Sequence, residues 1–299
     1  MSGNIYVFTD CDLDGVGSYL VSKWLISDDM PYTVTTQRNF RDDFTRFLKH
    51  EKISDYETVY IFDINVAQHS DLLDHDNIVI IDHHNGKDGY VDYKKATLVL
   101  DQNYSSTTKL VLKTLLNKDK SLSSKLTASK AKLITLVDDY DSYTLKHSES
   151  VGLNTVLWSY TGDRISKFIN EFSEGFKSFN DYQLNMIAIA KKKVDEVVNT
   201  ADVYTVTLPV EGKQRKIICV QCDHNINEVI SCLILQFNAD IGLVLNLKSK
   251  NVSFRKSSKC NVNLSKLASV LCDGGGHNDS AGGPVNDKFL KLSKMFQKI

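Results

Sequence analysis

Phe8-Thr-Asp10-Cys-Asp12-Leu-Asp14-Gly15 sets three carboxylates on alternate residues at the end of the apolar run Asn4-Ile-Tyr-Val-Phe8. Period-two spacing in an extended segment sends all three side chains to one side. Unpaired anions this close repel one another, which raises their pKa values unless a cation neutralises them. Hard oxygen ligands at this density suit Mg, Ca or Mn. An EF-hand loop also begins D-x-D-x-D-G, but it needs a bidentate Glu at its twelfth position. That position is Val21 here, and the preceding segment reads as strand rather than helix, so a calcium loop is disfavoured.

Working outward, Val16 to Ile26 reads as the helix after this first strand. Thr58-Val-Tyr-Ile-Phe62 and Asn77-Ile-Val-Ile-Ile81 are two further apolar strands. Uninterrupted apolar runs of this length suit strands covered on both faces. Their alternation with helical patterns predicts an α/β protein with a parallel sheet. In such sheets ligands gather beyond the carboxyl ends of the strands. Each of the three strands is followed at once by Asp or Asp-His residues: Asp10 after the first, Asp63 after the second, and Asp82-His83-His84 after the third. Asp63 alone reads equally as a helix N-cap. Two histidines behind an aspartate at a strand end are a stronger sign, because imidazole nitrogen is a good ligand for Mn, Fe or Zn. The adjacent aspartate is placed to orient an imidazole.

With these residues in view, the chain resembles the DHH/DHHA1 phosphoesterase family, in its RecJ-like and nano-RNase-like branches. The likeness runs through the D-x-D-x-D-G loop at 10–15, Asp63, the triplet Asp82-His83-His84, and Leu136-Val-Asp-Asp-Tyr-Asp-Ser142. Many relatives carry histidine where this chain has Asp10, and RecJ-type exonucleases resemble it in having aspartate. Ser105-Ser-Thr-Thr-Lys109 is similar to the Ser/Thr-rich helix start of nano-RNase-like members. The resemblance implies two divalent ions, with Asp10 and Asp12 on one, Asp14, His83 and Asp139 on the other, and Asp63 bridging. The fourth stretch offers Asp138, Asp139 and Asp141, and Asp139 aligns best. Water activated by the two ions would attack phosphorus, and His84 would stabilise the developing charge. Mn2+ is the first choice for the mixed oxygen and imidazole set, with Mg2+ or Co2+ as substitutes.

Further along, helices are expected at 105–117, 125–137 and Leu153 to Asn170. A long helix from Tyr182 to Asn199 then connects to a second pattern. Strands follow at Val203–Leu208 and Lys216–Val220, a helix at Asn227–Phe237, strands at 241–247 and 251–255, and a helix at 263–271. This predicts a catalytic domain over 1–185, a linker over 186–200 and a smaller α/β domain over 201–299. The glycine-rich Asp273-Gly-Gly-Gly-His277 is no P-loop, since no Gly-Lys-Ser/Thr follows. Consecutive glycines let a backbone approach an anion and present its N–H groups. Val252-Ser-Phe-Arg255 and this loop resemble the DHHA1 substrate domain. That implies Arg255, Gly274, Gly275, Gly276 and His277 as substrate-binding residues.

The bulk numbers narrow the choice of substrate. Across 299 residues, Lys+Arg 36 and Asp+Glu 37 give a net charge of −1. Proteins that wrap long nucleic acid usually carry a clear basic excess. A short oligonucleotide or dinucleotide is the expected substrate, released as nucleoside monophosphates. Cyclic dinucleotides and long single strands are the alternatives, and a non-catalytic nucleotide-binding module is the alternative of another kind. Scattered cysteines, one unmatched C-x-x-C at Cys219 and Cys222, and no basic-then-apolar start predict a cytoplasmic protein without disulfides. No apolar run spans a membrane. A homodimer is compatible with all of this.

Overall fold

A computed structural model describes residues 4–84, 91–276 and 278–299. The chain divides into two compact units, Met1–Ile187 and Ala188–Ile299. The first is built on a five-stranded, all-parallel sheet of β1 (Ile5–Asp10), β2 (Tyr32–Thr35), β3 (Thr58–Phe62), β4 (Ile78–Asp82) and β5 (Thr97–Leu100), in the order β2-β1-β3-β4-β5. This is a doubly wound order, in which the chain reverses direction at the β1/β3 boundary.

The apolar runs form strands because both faces are covered. Val7, Tyr60 and Val79 share one register row, and all pack on the helices of one face. Those helices are α1 (Leu13–Leu25), α4 (Thr107–Lys118), α5 (Ala128–Asp141), α6 (Ser148–Ser159) and α7 (Arg164–Glu171). The next row, Phe8, Ile61 and Ile80, faces the other side. There α2 (Phe40–His50) buries Phe40, Phe44 and Phe47 at i, i+4 and i+7. The short α3 (Ser70–Leu73) adds Leu73 to that face. Neither α2 nor the edge strands β2 and β5 were expected from the sequence.

The continuous helix expected from Leu153 to Asn170 is broken. Gly162 takes φ +72°, and Asp163 then caps α7, accepting from the Ser166 N–H at 3.1 Å. A glycine in the left-handed region followed by an N-cap aspartate ends one helix and starts another.

Helix α8 (Asp181–Thr200) runs across the division between the units. The second unit is a mixed seven-stranded sheet in the order β10-β11-β9-β8-β7-β6-β12. Its strands are β6 (Val203–Val210), β7 (Lys213–Gln221), β8 (Ile241–Asn246), β9 (Asn251–Lys256), β10 (Gly275–Gly276), β11 (Ser280–Pro284) and β12 (Gln297–Lys298). Glu211 and Gly212, both at positive φ, turn β6 into β7. Helix α9 (Ile226–Gln236) covers one face, while α10 (Leu264–Cys272) and α11 (Asp287–Ser293) cover the other. No helix among the described residues is long and apolar enough to cross a membrane.

Candidate metal centre

The register that builds the first core also builds the site. Thr9 pairs with Phe62, and Phe62 with Ile81. The next residue on each strand is therefore Asp10, Asp63 and Asp82, level across three neighbouring strands at their carboxyl ends. Asp63 stands just past β3 in the left-handed region, φ 61°, an uncommon conformation for a residue with a Cβ. Asp12 caps α1, accepting from the Gly15 N–H at 3.0 Å. Asp14 lies in the first turn of that helix, 1% exposed.

Helix α4 aims its N-terminus at Asp14. The Thr107 N–H donates to Asp14 Oδ2 at 2.6 Å, and the Thr108 N–H to Oδ1 at 2.8 Å. Two otherwise orphaned helix donors and the positive helix end thus hold this carboxylate. The Thr107 hydroxyl donates to Asp63 Oδ1 at 2.9 Å. Asp138 on α5 anchors the same turn, accepting from Ser105 Oγ at 2.6 Å, Ser106 Oγ at 2.9 Å and Lys109 Nζ at 2.6 Å.

His83 is buried at the centre. Its Nδ1 faces the Tyr104 carbonyl at 3.2 Å, which favours the tautomer with the proton on Nδ1 and a lone pair on Nε2. Nε2 lies 3.3 Å from Asp141 Oδ2, 3.8 Å from Asp14 Oδ2 and 3.9 Å from Asp63 Oδ1. His84 Nδ1 is 2.7 Å from Asp82 Oδ1 and 3.5 Å from Asp63 Oδ1. Two groups follow, Asp14–His83–Asp141 and Asp63–His83–His84, each with its ligand atoms within 4.8 Å of one another. His83 belongs to both.

Burial, and then repulsion from neighbouring carboxylates, pushes the carboxyls of Asp63 and Asp141 well above the ordinary range. Burial also raises Asp14, with His83 working against it. Asp10 is lifted to about 6, first by burial and then by Asp12. Asp12 adds repulsion at all four. Burial opposes ionisation of Asp82, but the hydrogen bond and charge of His84 outweigh it and hold that carboxyl low. His84 is correspondingly raised, since its bond to Asp82 outweighs its burial. Mutually repelling buried carboxylates around an imidazole nitrogen are short of positive charge, which a divalent cation supplies. Oxygen donors mixed with imidazole fit Mn2+ or a similar ion.

The alignment of Asp139 with the metal ligands does not match its placement. Its carboxylate accepts from Thr144 Oγ1 at 2.6 Å, Lys146 N at 2.9 Å, His147 N at 3.0 Å and Ser150 Oγ at 2.8 Å. Burial opposes its ionisation, but those donors bring the pKa down to about 2. It fastens the turn after α5, and Asp141 enters the cluster instead. Asp138 and Asp141 are i and i+3 on one helix, hence on one face, with Asp139 turned away. That spacing was the sign in the sequence. For Thr107 and Thr108 the sign was the Ser106 cap beside so many acids.

The second-unit candidates are held by their own neighbours. Arg255 donates to the Phe254 carbonyl at 2.9 Å and to Asn227 Oδ1 at 2.6 Å. Gly275 and Gly276 form β10 against Gly282 and Ala281, and Gly276 has φ +136°. A Cβ on Gly274 would stand 2.2 Å from the Gly282 carbonyl oxygen. Close strand packing therefore already requires glycine at 274 and 276. His277 lies outside the described residues. Cys219 sits in β7, whereas the Cys222 thiol donates to the His224 carbonyl at 2.9 Å, so the C-x-x-C is not a unit.

Residues 4–137 match the sequence profile of the DHH family, N-terminal domain. This stretch of the chain is similar to the DHH family's N-terminal domain, and the Asp/His clusters are placed to bind metal ions. Solved structures with the same fold include an exopolyphosphatase-related protein from Bacteroides fragilis, at 15% identity and TM-score 0.58, covering 98% of this chain and 90% of that one. The pGpG-specific phosphodiesterase PggH from Vibrio cholerae aligns at 12% identity and TM-score 0.58, over 97% and 96%. Exonuclease RecJ bound to manganese aligns at 11% and 0.54, over 98% and 88%. No curated protein matches the sequence.

Proposed function

We propose that the protein hydrolyses short linear oligonucleotides, dinucleotides above all, to nucleoside monophosphates, with two Mn2+ ions as cofactor. One observation carries this: Asp14, Asp63 and Asp141, from three separate stretches, meet around the imidazole of His83. Asp14, His83 and Asp141 would hold one ion, Asp10 and Asp12 would bind the other, and Asp63 would lie between them. When bound, the ions supply Lewis-acid activation of water and neutralise charge on the phosphoryl oxygens. The chain's own groups do the rest. Asp82 fixes the ring of His84, which is placed to donate a hydrogen bond to a non-bridging oxygen. The α4 N-terminus aims Asp14 and favours its charged form against the burial that opposes it. Arg255, Gly274, Gly275, Gly276 and His277 are the substrate-binding residues proposed for the second unit.

A net charge of −1 supports a short substrate over a long one. The nucleotide pGpG, for which the Vibrio cholerae protein is named, is of this class. The test is a panel of dinucleotides, cyclic dinucleotides, longer RNA and longer DNA, incubated with Mn2+ and read by mass spectrometry. Mononucleotides released fastest from linear dinucleotides are expected. Preferential degradation of long strands, or of cyclic substrates, would replace the assignment.

A further inference from the structure

Apart from the carboxylate cluster, the first unit carries another concavity. A cleft of about 400 Å³ is lined by Tyr160, Lys167, Asn170, Glu171, Asn180 and Tyr182. These residues come from the segment after α6, from α7 and from the beginning of α8. None of them belongs to the metal centre. Hydrogen bonds fix the walls. The Asn180 N–H donates to Gln183 Oε1 at 3.0 Å, and the Gln183 N–H donates back to Asn180 Oδ1 at 2.9 Å. This reciprocal pair is a capping box at the start of α8. Asn180 Nδ2 donates onward to Glu171 Oε1 at 3.0 Å. Gln183 is 1% exposed, and its Nε2 donates to the Tyr160 hydroxyl at 3.2 Å. One chain of bonds therefore runs from Glu171 through Asn180 and Gln183 to Tyr160. Burial raises the Tyr160 phenol, and the nearby Glu171 and Tyr182 add to this against the bond from Gln183. Other groups in the lining are left available. Tyr182 is 64% exposed, and neither its hydroxyl nor the Asn170 amide has a hydrogen-bond partner among the described residues. Lys167 Nζ gives one N–H to the Thr161 carbonyl at 2.7 Å and keeps the others.

From this lining we infer that the cleft binds a nucleoside monophosphate, at a site separate from the metal centre. Each part of such a ligand has a counterpart. The tyrosine rings of Tyr160 and Tyr182 offer stacking surface to a base. An asparagine amide sets a donor beside an acceptor, which matches the edge of a base such as adenine. Asn170 has that amide free, and Glu171 adds a further acceptor. Lys167 supplies a point charge for the phosphate. The volume is that of a small-molecule site, and suits one nucleotide rather than a strand. Glu171 opposes a ligand that is only an anion, and the amides and charges oppose one that is only apolar. The inference does not rest on the hydrolysis proposed above, because none of its residues takes part in that reaction.

The test is isothermal titration of full-length, metal-free protein with adenosine 5′-monophosphate, adenosine and ribose 5-phosphate. Without ions, the carboxylates of the metal centre repel phosphate and do not compete for it. Adenosine 5′-monophosphate is expected to bind best. Adenosine should bind about tenfold or more weaker, as for a lost charged hydrogen bond, and ribose 5-phosphate should not bind measurably. Tyr182→Ala, at an exposed position, should weaken the mononucleotide by about tenfold or more, as for a lost base–aromatic stack. Lys167→Gln should bring the mononucleotide down to the level of adenosine and leave adenosine unchanged. Mn2+-dependent cleavage of bis-p-nitrophenyl phosphate should be the same in wild type and both variants. No binding of the mononucleotide to wild type overturns the inference, and so does undiminished affinity in either variant. Equal affinity for the mononucleotide and ribose 5-phosphate overturns it as well. If the protein cleaves no dinucleotide, the hydrolysis proposed above fails, while these titrations still decide the cleft.

Discussion

The Thr107 hydroxyl donates to Asp63 at 2.9 Å while the N–H of the same residue donates to Asp14 at 2.6 Å. One residue at the start of α4 therefore fixes two carboxylates, one in the first turn of α1 and one just past β3. Removing the hydroxyl leaves Asp63 a donor short in a buried site. Thr107→Val is expected to lower Mn2+ affinity by about 10–100-fold, the usual cost of losing a partner behind a ligand. Thr107→Ser should retain wild-type affinity. Isothermal titration with circular dichroism as a fold control decides it, and equal affinities for the Val and Ser variants would remove Thr107 from the site.

Asp141 and Asp139 should separate cleanly. Asp141→Asn is expected to abolish Mn2+ binding and to leave the melting temperature of the metal-free protein unchanged or raised, since a repelled buried charge is gone. Asp139→Asn should bind Mn2+ normally but lose about 2–4 kcal/mol of stability through its four donors. Urea melts and metal titrations of both variants measure this.

The acidic cluster gives the metal-free protein an inverted pH profile. Asp10 titrates near 6 in the folded chain, against 3.8 for an ordinary aspartate. Between those values the folded state holds a proton that the unfolded state has lost, so stability falls as pH rises through this window. Asp14, Asp63 and Asp141, also raised, act in the same sense. Metal-free protein should therefore melt higher at pH 5 than at pH 7. With saturating Mn2+ the order should reverse, because protons compete with the cation. Differential scanning calorimetry at the two pH values, with and without metal, checks both signs.

Gly15 is required by contact rather than by flexibility. A Cβ there would sit 2.5 Å from the Asp10 carbonyl oxygen, a backbone atom that can yield only by moving the acidic loop. Gly15→Ala is expected to reduce Mn2+ affinity at least about tenfold and to destabilise the chain by about 1–3 kcal/mol. Wild-type metal affinity in that variant would mean that the loop tolerates displacement.

Much of this was legible in the sequence. The three apolar runs gave β1, β3 and β4, and the acids behind them marked the carboxyl edge where the site forms. The level placement of Asp10, Asp63 and Asp82 follows from register, since each is the residue after a paired row. What was missed depended on tertiary context. Asp139 and Asp141 are chemically alike, and only helix phase and the donors of the 144–150 turn tell them apart. The α2 stripe Phe40, Phe44 and Phe47 was plain at helical spacing, although the surrounding charges obscured it. The Gly162-Asp163 break carried its own stop and cap.

The most direct measurement is anomalous diffraction from crystals grown with Mn2+. Two peaks are expected a few ångströms apart, one contacting Asp14, His83 and Asp141, the other contacting Asp10 and Asp12, with Asp63 touching both. Peaks lying elsewhere, or a site in which Asp63 and His83 contact no metal, would contradict the assignment of this cluster as the catalytic centre.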